Sequence, residues 1–263
     1  QAETGPAPAD AAGFGRRGTA FLLARDYDRA IADFTAAARL EPKVGKPIYN
    51  RGVAHAAKGE NRLALADFDQ AIRLSPKDRL AFVARARVRL ADGDEAAARK
   101  AFDAAIAAFP GNPDMLGAAA AAFSADHRYQ AAIGYYDRLI GQFPADPDRA
   151  AALNGRCWSR AALGRNLQSA LADCDASLKA KPDDAATLDS RGFVQLRLGQ
   201  FAKAIADYDA ALALRADGAS SLYGRGLAEL RTRRQDAGQA DLAAAAAIDP
   251  TVAATFAGYG MKP

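Results

Sequence analysis

Side chains that do chemistry are scarce in this chain, whose 263 residues include two histidines, two cysteines, two methionines and one tryptophan. His55 and His127 are 72 residues apart and neither stands in a ligand-spaced cluster, whereas zinc needs three or four converging ligands. P-loop, G-x-S-x-G, H-E-x-x-H and EF-hand patterns are all missing. No catalytic residue, metal or cofactor is therefore expected, and the chain does not read as an enzyme. No apolar run approaches the roughly 18 to 20 residues that a spanning helix needs, so no membrane insertion is expected. Charge of one sign is lacking too. With 35 Lys and Arg against 31 Asp and Glu, the surplus is +4, far from the clustered basic face of a nucleic-acid binder.

What is abundant is alanine, 69 residues of it, against 20 Phe plus Tyr. Local propensity thus favours helix almost throughout, and an all-α protein is expected. One stretch suggests otherwise: Gly13 to Gly18, GFGRRG, fits the G-x-G-x-x-G spacing of phosphate-cradling loops. That loop needs a strand before it. The preceding QAETGPAPADAA has no β-branched or aromatic run, so the glycines need another explanation. Residues 1–10 read instead as a flexible leader beginning at Gln1. That is either a mature terminus left by signal cleavage or an arbitrary boundary. The expected compartment is the periplasm or the exterior, with the cytoplasm as the alternative.

The explanation is a repeat. Pro42, Pro76, Pro110, Pro144 and Pro182 close successive copies, Ala216 takes the proline's place in the sixth, and Pro250 closes the seventh; the spacings are 34, 34, 34, 38, 34 and 34 residues. Each copy carries a small residue at one place in a first helix (Gly18, Gly52, Ala86, Ala120, Cys157, Gly192, Gly226). A second helix carries another small residue and, four positions later, a bulky one: Ala30 with Phe34, Ala64 with Phe68, Ala98 with Phe102, Ala132 with Tyr136. Residues four apart share a helix face, so the small residue of the first helix can pack against the stripe on the second. Each unit is an antiparallel helix pair, and Gly18 is one of its packing residues.

This pattern resembles the tetratricopeptide repeat, over residues 11 to 250, with Phe14, Ile48, Phe82 and Leu116 where the family has tryptophan. The resemblance implies a right-handed α-solenoid, with repeats one to four over residues 11–144 and repeats five to seven over 145–250 after a short insertion at ADPDRAA. A capping helix and tail at 251–263 complete the organisation, with Val252 and Phe256 on one face. A bend or wider gap is expected at the insertion. The resemblance further implies an adaptor that binds a peptide or helix of a partner protein in a groove lined by the first helices. The groove residues are Arg16, Lys46, Tyr49, Asn50, Arg87, Asn154, Trp158, Asp189, Phe193, Arg197, Tyr223 and Arg231. Some relatives clamp a C-terminal carboxylate; of that clamp only Asn50 is present, with Gly15, Thr19, Leu80 and Ala84 in the other places. An acidic, extended segment is expected because groove cations outnumber groove acids, with Trp158 and Tyr49 as apolar platforms. A structural assembly factor of the cell envelope is the alternative.

Two further patterns belong to the scaffold. Cys157 and Cys174 occupy facing packing columns of one repeat and read either as two buried thiols or as a disulfide. Arginine precedes the small column in six copies and aspartate precedes the bulky column in five, whereas repeat four, with Ala119 and Tyr135, lacks both. That joint absence predicts an Arg–Asp contact, within a repeat or between neighbours.

Overall fold

The computed structural model describes residues 8–263, and every regular element among them is helical. Residues 1–7 of the expected leader lie outside the described residues. Asp10 already belongs to the fold, because its carboxylate accepts from the Gly13 N–H at 2.7 Å and caps the first helix. The chain forms two compact units, divided between Met115 and Leu116.

The first unit holds α1 (Ala11–Leu23), α2 (Tyr27–Leu40), α3 (Gly45–Lys58), α4 (Asn61–Leu74), α5 (Arg79–Ala91), α6 (Glu95–Ala108) and the first turn of α7 (Pro113–Ala125). Successive helices pack antiparallel as pairs, and each pair rests on the next. Aspartates at Asp26 and Asp94 cap the second helices through the Arg29 and Ala97 N–H groups. The packing columns meet as their spacing requires. A Cβ on Gly18 would lie 2.8 Å from the Phe34 ring, and one on Gly52 would lie 2.8 Å from the Phe68 ring. Glycine is thus what lets the buried phenylalanine close against the helix backbone.

The second unit holds the rest of α7, α8 (Tyr129–Gln142), α9 (Arg149–Leu163), α10 (Leu167–Ala180), α11 (Ala185–Arg197), α12 (Phe201–Leu214), α13 (Ala219–Arg231), α14 (Gln235–Ile248) and α15 (Val252–Gly258). The four extra residues do not open a gap. They are absorbed by a longer connection from Gln142 to Arg149 and by α9, which at 15 residues exceeds the 13 of α11 and α13. Across that junction Tyr136 closes on Gly155, so tightly that a Cβ there would lie 2.3 Å from the phenol oxygen. Cys157 and Cys174, both fully buried, form a disulfide between α9 and α10 with Cα atoms 5.6 Å apart. Here the bond takes the place of a ring packed on glycine.

A ladder of guanidinium groups ties the repeats together. Within a repeat, Arg17 reaches Asp33 at 2.7 Å, Arg51 reaches Asp67 at 2.6 Å, Arg191 reaches Asp207 at 2.6 Å and Arg225 reaches Asp241 at 2.6 Å. Each is a two-pronged contact through Nε and Nη2, the geometry that makes such pairs strong. The remaining Nη1 turns to the preceding repeat: Arg85 to Asp69 at 2.9 Å, Arg156 to Asp137 at 2.7 Å, Arg191 to Asp175 at 2.9 Å and Arg225 to Asp209 at 2.7 Å. Of the two pairings left open by the sequence, the aspartate before the bulky column takes the one within its own repeat, as Asp67 does with Arg51; the next repeat's arginine is met by another aspartate, as Arg85 is by Asp69. The recurring Asp-x-Asp motifs are struts, one carboxylate for its own repeat and one for the next.

Candidate partner-binding faces

The first helices of each unit lie side by side and leave one face for a partner. In the first unit that face is open and carries cations. Arg16, Lys46 and Arg87 are exposed and make no ion pair among the described residues. Arg16, Lys46 and Glu41 line a cleft of about 510 Å³ between α1 and α3, together with Gly15, Thr19 and Asn50. Two cations thus face one acid. Asp114, at the start of α7, is held by Arg79 at 2.6 Å. Tyr49 is half-buried with its ring 5.8 Å from Phe68. Burial raises its pKa, the charge of Asp78 adding to the effect and that of Arg87 opposing it. Its ring is a fixed, partly accessible surface beside a free guanidinium.

In the second unit the corresponding face is covered by the chain's own end. Phe256 of α15, buried to 2 % exposure, sits 5.6 Å from the Phe193 ring and 4.8 Å from Tyr223. Tyr259 packs edge-on to Trp158 at 5.7 Å and against Phe193 at 5.4 Å. Its hydroxyl lies 3.4 Å from that of Tyr129. Arg231 donates to the Lys262 carbonyl at 2.9 Å. Of the residues expected to line a groove, then, Trp158, Phe193, Tyr223 and Arg231 are engaged by the C-terminal segment. Trp158 is not a bare anchor; it is half-buried and packed against the second unit's core, between Phe193, 5.3 Å away, and Tyr259.

Three other expected groove residues serve the scaffold or stand alone. Arg197 donates to the Ala161 carbonyl at 2.7 Å, closing the end of α9, and lies over the Phe193 ring at 5.7 Å. Burial lowers its pKa. Asp189 accepts from the Ser221 hydroxyl at 2.5 Å and from Ser220 at 3.3 Å, bridging α11 to α13, and burial raises its pKa against those bonds. Asn154 keeps a buried side-chain oxygen without a protein partner. The sequence reading missed how far α15 reaches. The signal was present in the column that follows the small one: Thr19, Val53 and Arg87 in the first unit, but Trp158, Phe193 and Leu227 in the second. Large apolar side chains in a row require a cover.

Stacked helix pairs with cationic and aromatic side chains on their first helices define an all-α repeat protein of the kind that scaffolds protein–protein contacts. The repeats are tetratricopeptide repeats, and that family's model matches residues 49–113 and 192–253. Among solved structures, a tetratricopeptide repeat protein from Parabacteroides merdae is similar over 95 % of this chain and 98 % of its own, at 16 % identity and a TM-score of 0.66. PilW, a type IV pilus biogenesis factor, is similar over 78 % of this chain and 94 % of its own, at 18 % identity and a TM-score of 0.61. YrrB, a tetratricopeptide repeat protein with an unusual peptide-binding site, is similar over 73 % of this chain and 97 % of its own, at 20 % identity and a TM-score of 0.50. No curated protein matches the chain by sequence. Among the described residues, no helix is long and apolar enough to cross a membrane.

Proposed function

We propose that the chain is a non-enzymatic adaptor that holds an acidic, extended segment of a partner protein on the first-helix face of its first unit. The observation that carries this reading is the contrast among cations. The ladder arginines are consumed by aspartates, and Arg197 and Arg231 by carbonyls, whereas Arg16, Lys46 and Arg87 stay exposed and unpaired. A row of unpaired cations beside the Tyr49 ring steers and holds carboxylates, while the ring supplies contact area. Affinity on the order of micromolar is expected, since an extended segment loses conformational freedom on docking. The test is capture from the native source with the wild-type chain and with an Arg16→Glu, Lys46→Glu, Arg87→Glu triple variant, followed by cross-linking. A partner retained only by the wild type, cross-linked near residues 16–87, supports the reading; equal retention by both chains contradicts it.

The second reading, an exported assembly factor of the cell envelope, rests on the buried Cys157–Cys174 disulfide, since such bonds persist mainly in oxidising compartments. The fold that the chain shares with PilW is compatible with it. Thiol labelling of the denatured chain isolated from its native cells tests this: no labelling supports export, and two labelled thiols per chain contradict it.

A further inference from the structure

The C-terminal segment covers more than a cap requires. Closing the end of a repeat array takes a helix laid against the last pair, here α13 and α14. This segment continues past them across α11 to α9, where Tyr259 meets Trp158, and on to Tyr129 at the start of α8. It does so as a ligand would. Val252, Phe256 and Tyr259, at i, i+4 and i+7, form one apolar stripe turned to the first helices, while Ala253, Ala254, Thr255 and Ala257 are exposed. The polar ties are few: Arg231 to the Lys262 carbonyl, and the long Tyr259–Tyr129 approach. A helix of seven residues does not hold its shape alone in water, so the segment's order depends on the face that it covers.

The geometry points to a second docking site: the first-helix face of repeats five to seven binds a partner's short helix bearing aromatic or large apolar residues at i, i+4 and i+7, and the chain's own Val252–Tyr259 segment occupies it until displaced. The chemistry of the partner is read from the occupant, which buries rings against rings and carries no charged residue from Thr251 to Gly260. Tethering gives the resident segment an effective concentration on the order of millimolar. A competing helix must therefore bind this face more tightly than the untethered segment would, and weak apolar helices are excluded. This site shares with the adaptor reading only the premise that partners dock on first helices. Its test uses different residues, so either can fail alone.

Trp158 is the sole tryptophan, so its fluorescence reports whether the face is covered. The full chain is compared with a Phe256→Ala, Tyr259→Ala variant, using as probe a fluorescein-labelled synthetic peptide of residues 250–263. Expected are a red-shifted Trp158 emission in the variant, at least tenfold tighter peptide binding to the variant than to the wild type, and return of the emission on saturation. A peptide carrying the same two alanines should do none of this. Equal binding to both chains, or no binding to a variant that keeps its helical circular dichroism, overturns the proposal. So does a wild-type Trp158 emission that changes with protein concentration together with reversible dimerisation, since the occupant would then be a second copy's tail. If the double variant unfolds, Tyr259→Ala alone, which leaves Phe256 in place, is held to the same outcomes.

Discussion

The Tyr208 phenol oxygen lies only 2.3 Å from where a Cβ on Gly224 would stand, and the ring is fully buried. The same relation joins Tyr136 to Gly155 two junctions earlier, whereas after Phe34 and Phe68 the corresponding places hold Asn50 and Ala84. Tyrosine in the bulky column therefore demands glycine in the following first helix. Gly224→Ala should cost about 1 to 3 kcal/mol by overpacking, because a buried ring cannot swing aside. Gly134→Ala, with nothing within 4 Å of the added carbon, should instead stabilise by about 0.5 to 1 kcal/mol. Urea unfolding midpoints of the two variants check both signs.

The ladder predicts unequal aspartates. Asp207, at 9 % side-chain exposure, holds Arg191 at 2.6 Å, and Asp175, at 56 %, holds the same group at 2.9 Å. The Asp207 hydrogen bonds push Arg191's pKa up. Asp207→Asn should cost about 2 to 4 kcal/mol, below the full range for a buried pair because Arg191 is one-quarter exposed and keeps Asp175. Asp175→Asn should cost less than about 1 kcal/mol. Chemical denaturation distinguishes them, and equal costs would contradict the assignment of roles.

Reduction should weaken the second unit. The Cys157–Cys174 bond spans 17 residues in sequence, for which loop-closure entropy gives a contribution of about 3 kcal/mol. Melting with and without a reductant, alongside the Cys157→Ala, Cys174→Ala double variant, should show a clear loss in the reduced and substituted forms. Unchanged melting would contradict it.

Asp189 predicts a pH signature. Desolvation raises its folded pKa above the unfolded value, against the bonds from Ser221 and Ser220. Between those two values the folded chain binds more protons, so this group's contribution to stability falls as pH rises through that window and stays lost above it. Asp189→Asn, neutral throughout, lacks the slope. Its melting temperature relative to wild type should therefore be higher at about pH 7 than at about pH 3.5. A constant difference would show that Asp189 titrates alike in both states.

The helix pairs and their packing columns were legible because a packing column repeated seven times is a strong constraint, and Gly18 on Phe34 follows from it directly, whereas Arg51 on Asp67 was one of two pairings that the columns left open. The second aspartate of each Asp-x-Asp was not assigned, since its partner, such as Arg85 for Asp69, lies in the next repeat. Periodicity is silent about which neighbour a surface carboxylate meets. The destination of α15 was least legible. Val252 and Phe256 announce a buried face, but what they face is decided by Trp158, Phe193 and Tyr223, nearly a hundred residues earlier at the extreme. Reading Trp158 as a free anchor left out the chain's own ligand for it.

Recognition of an acidic segment is the role proposed for the first unit's unpaired cations. The most direct measurement is calorimetric titration of a synthetic peptide of glutamates interspersed with alanine and a single tryptophan into the wild type and Arg87→Glu, each at about 50 mM and about 500 mM salt. Micromolar binding to the wild type is expected at low salt, weakened at least tenfold by high salt and again by the charge reversal. Binding indifferent to both, or none under any condition, would contradict it.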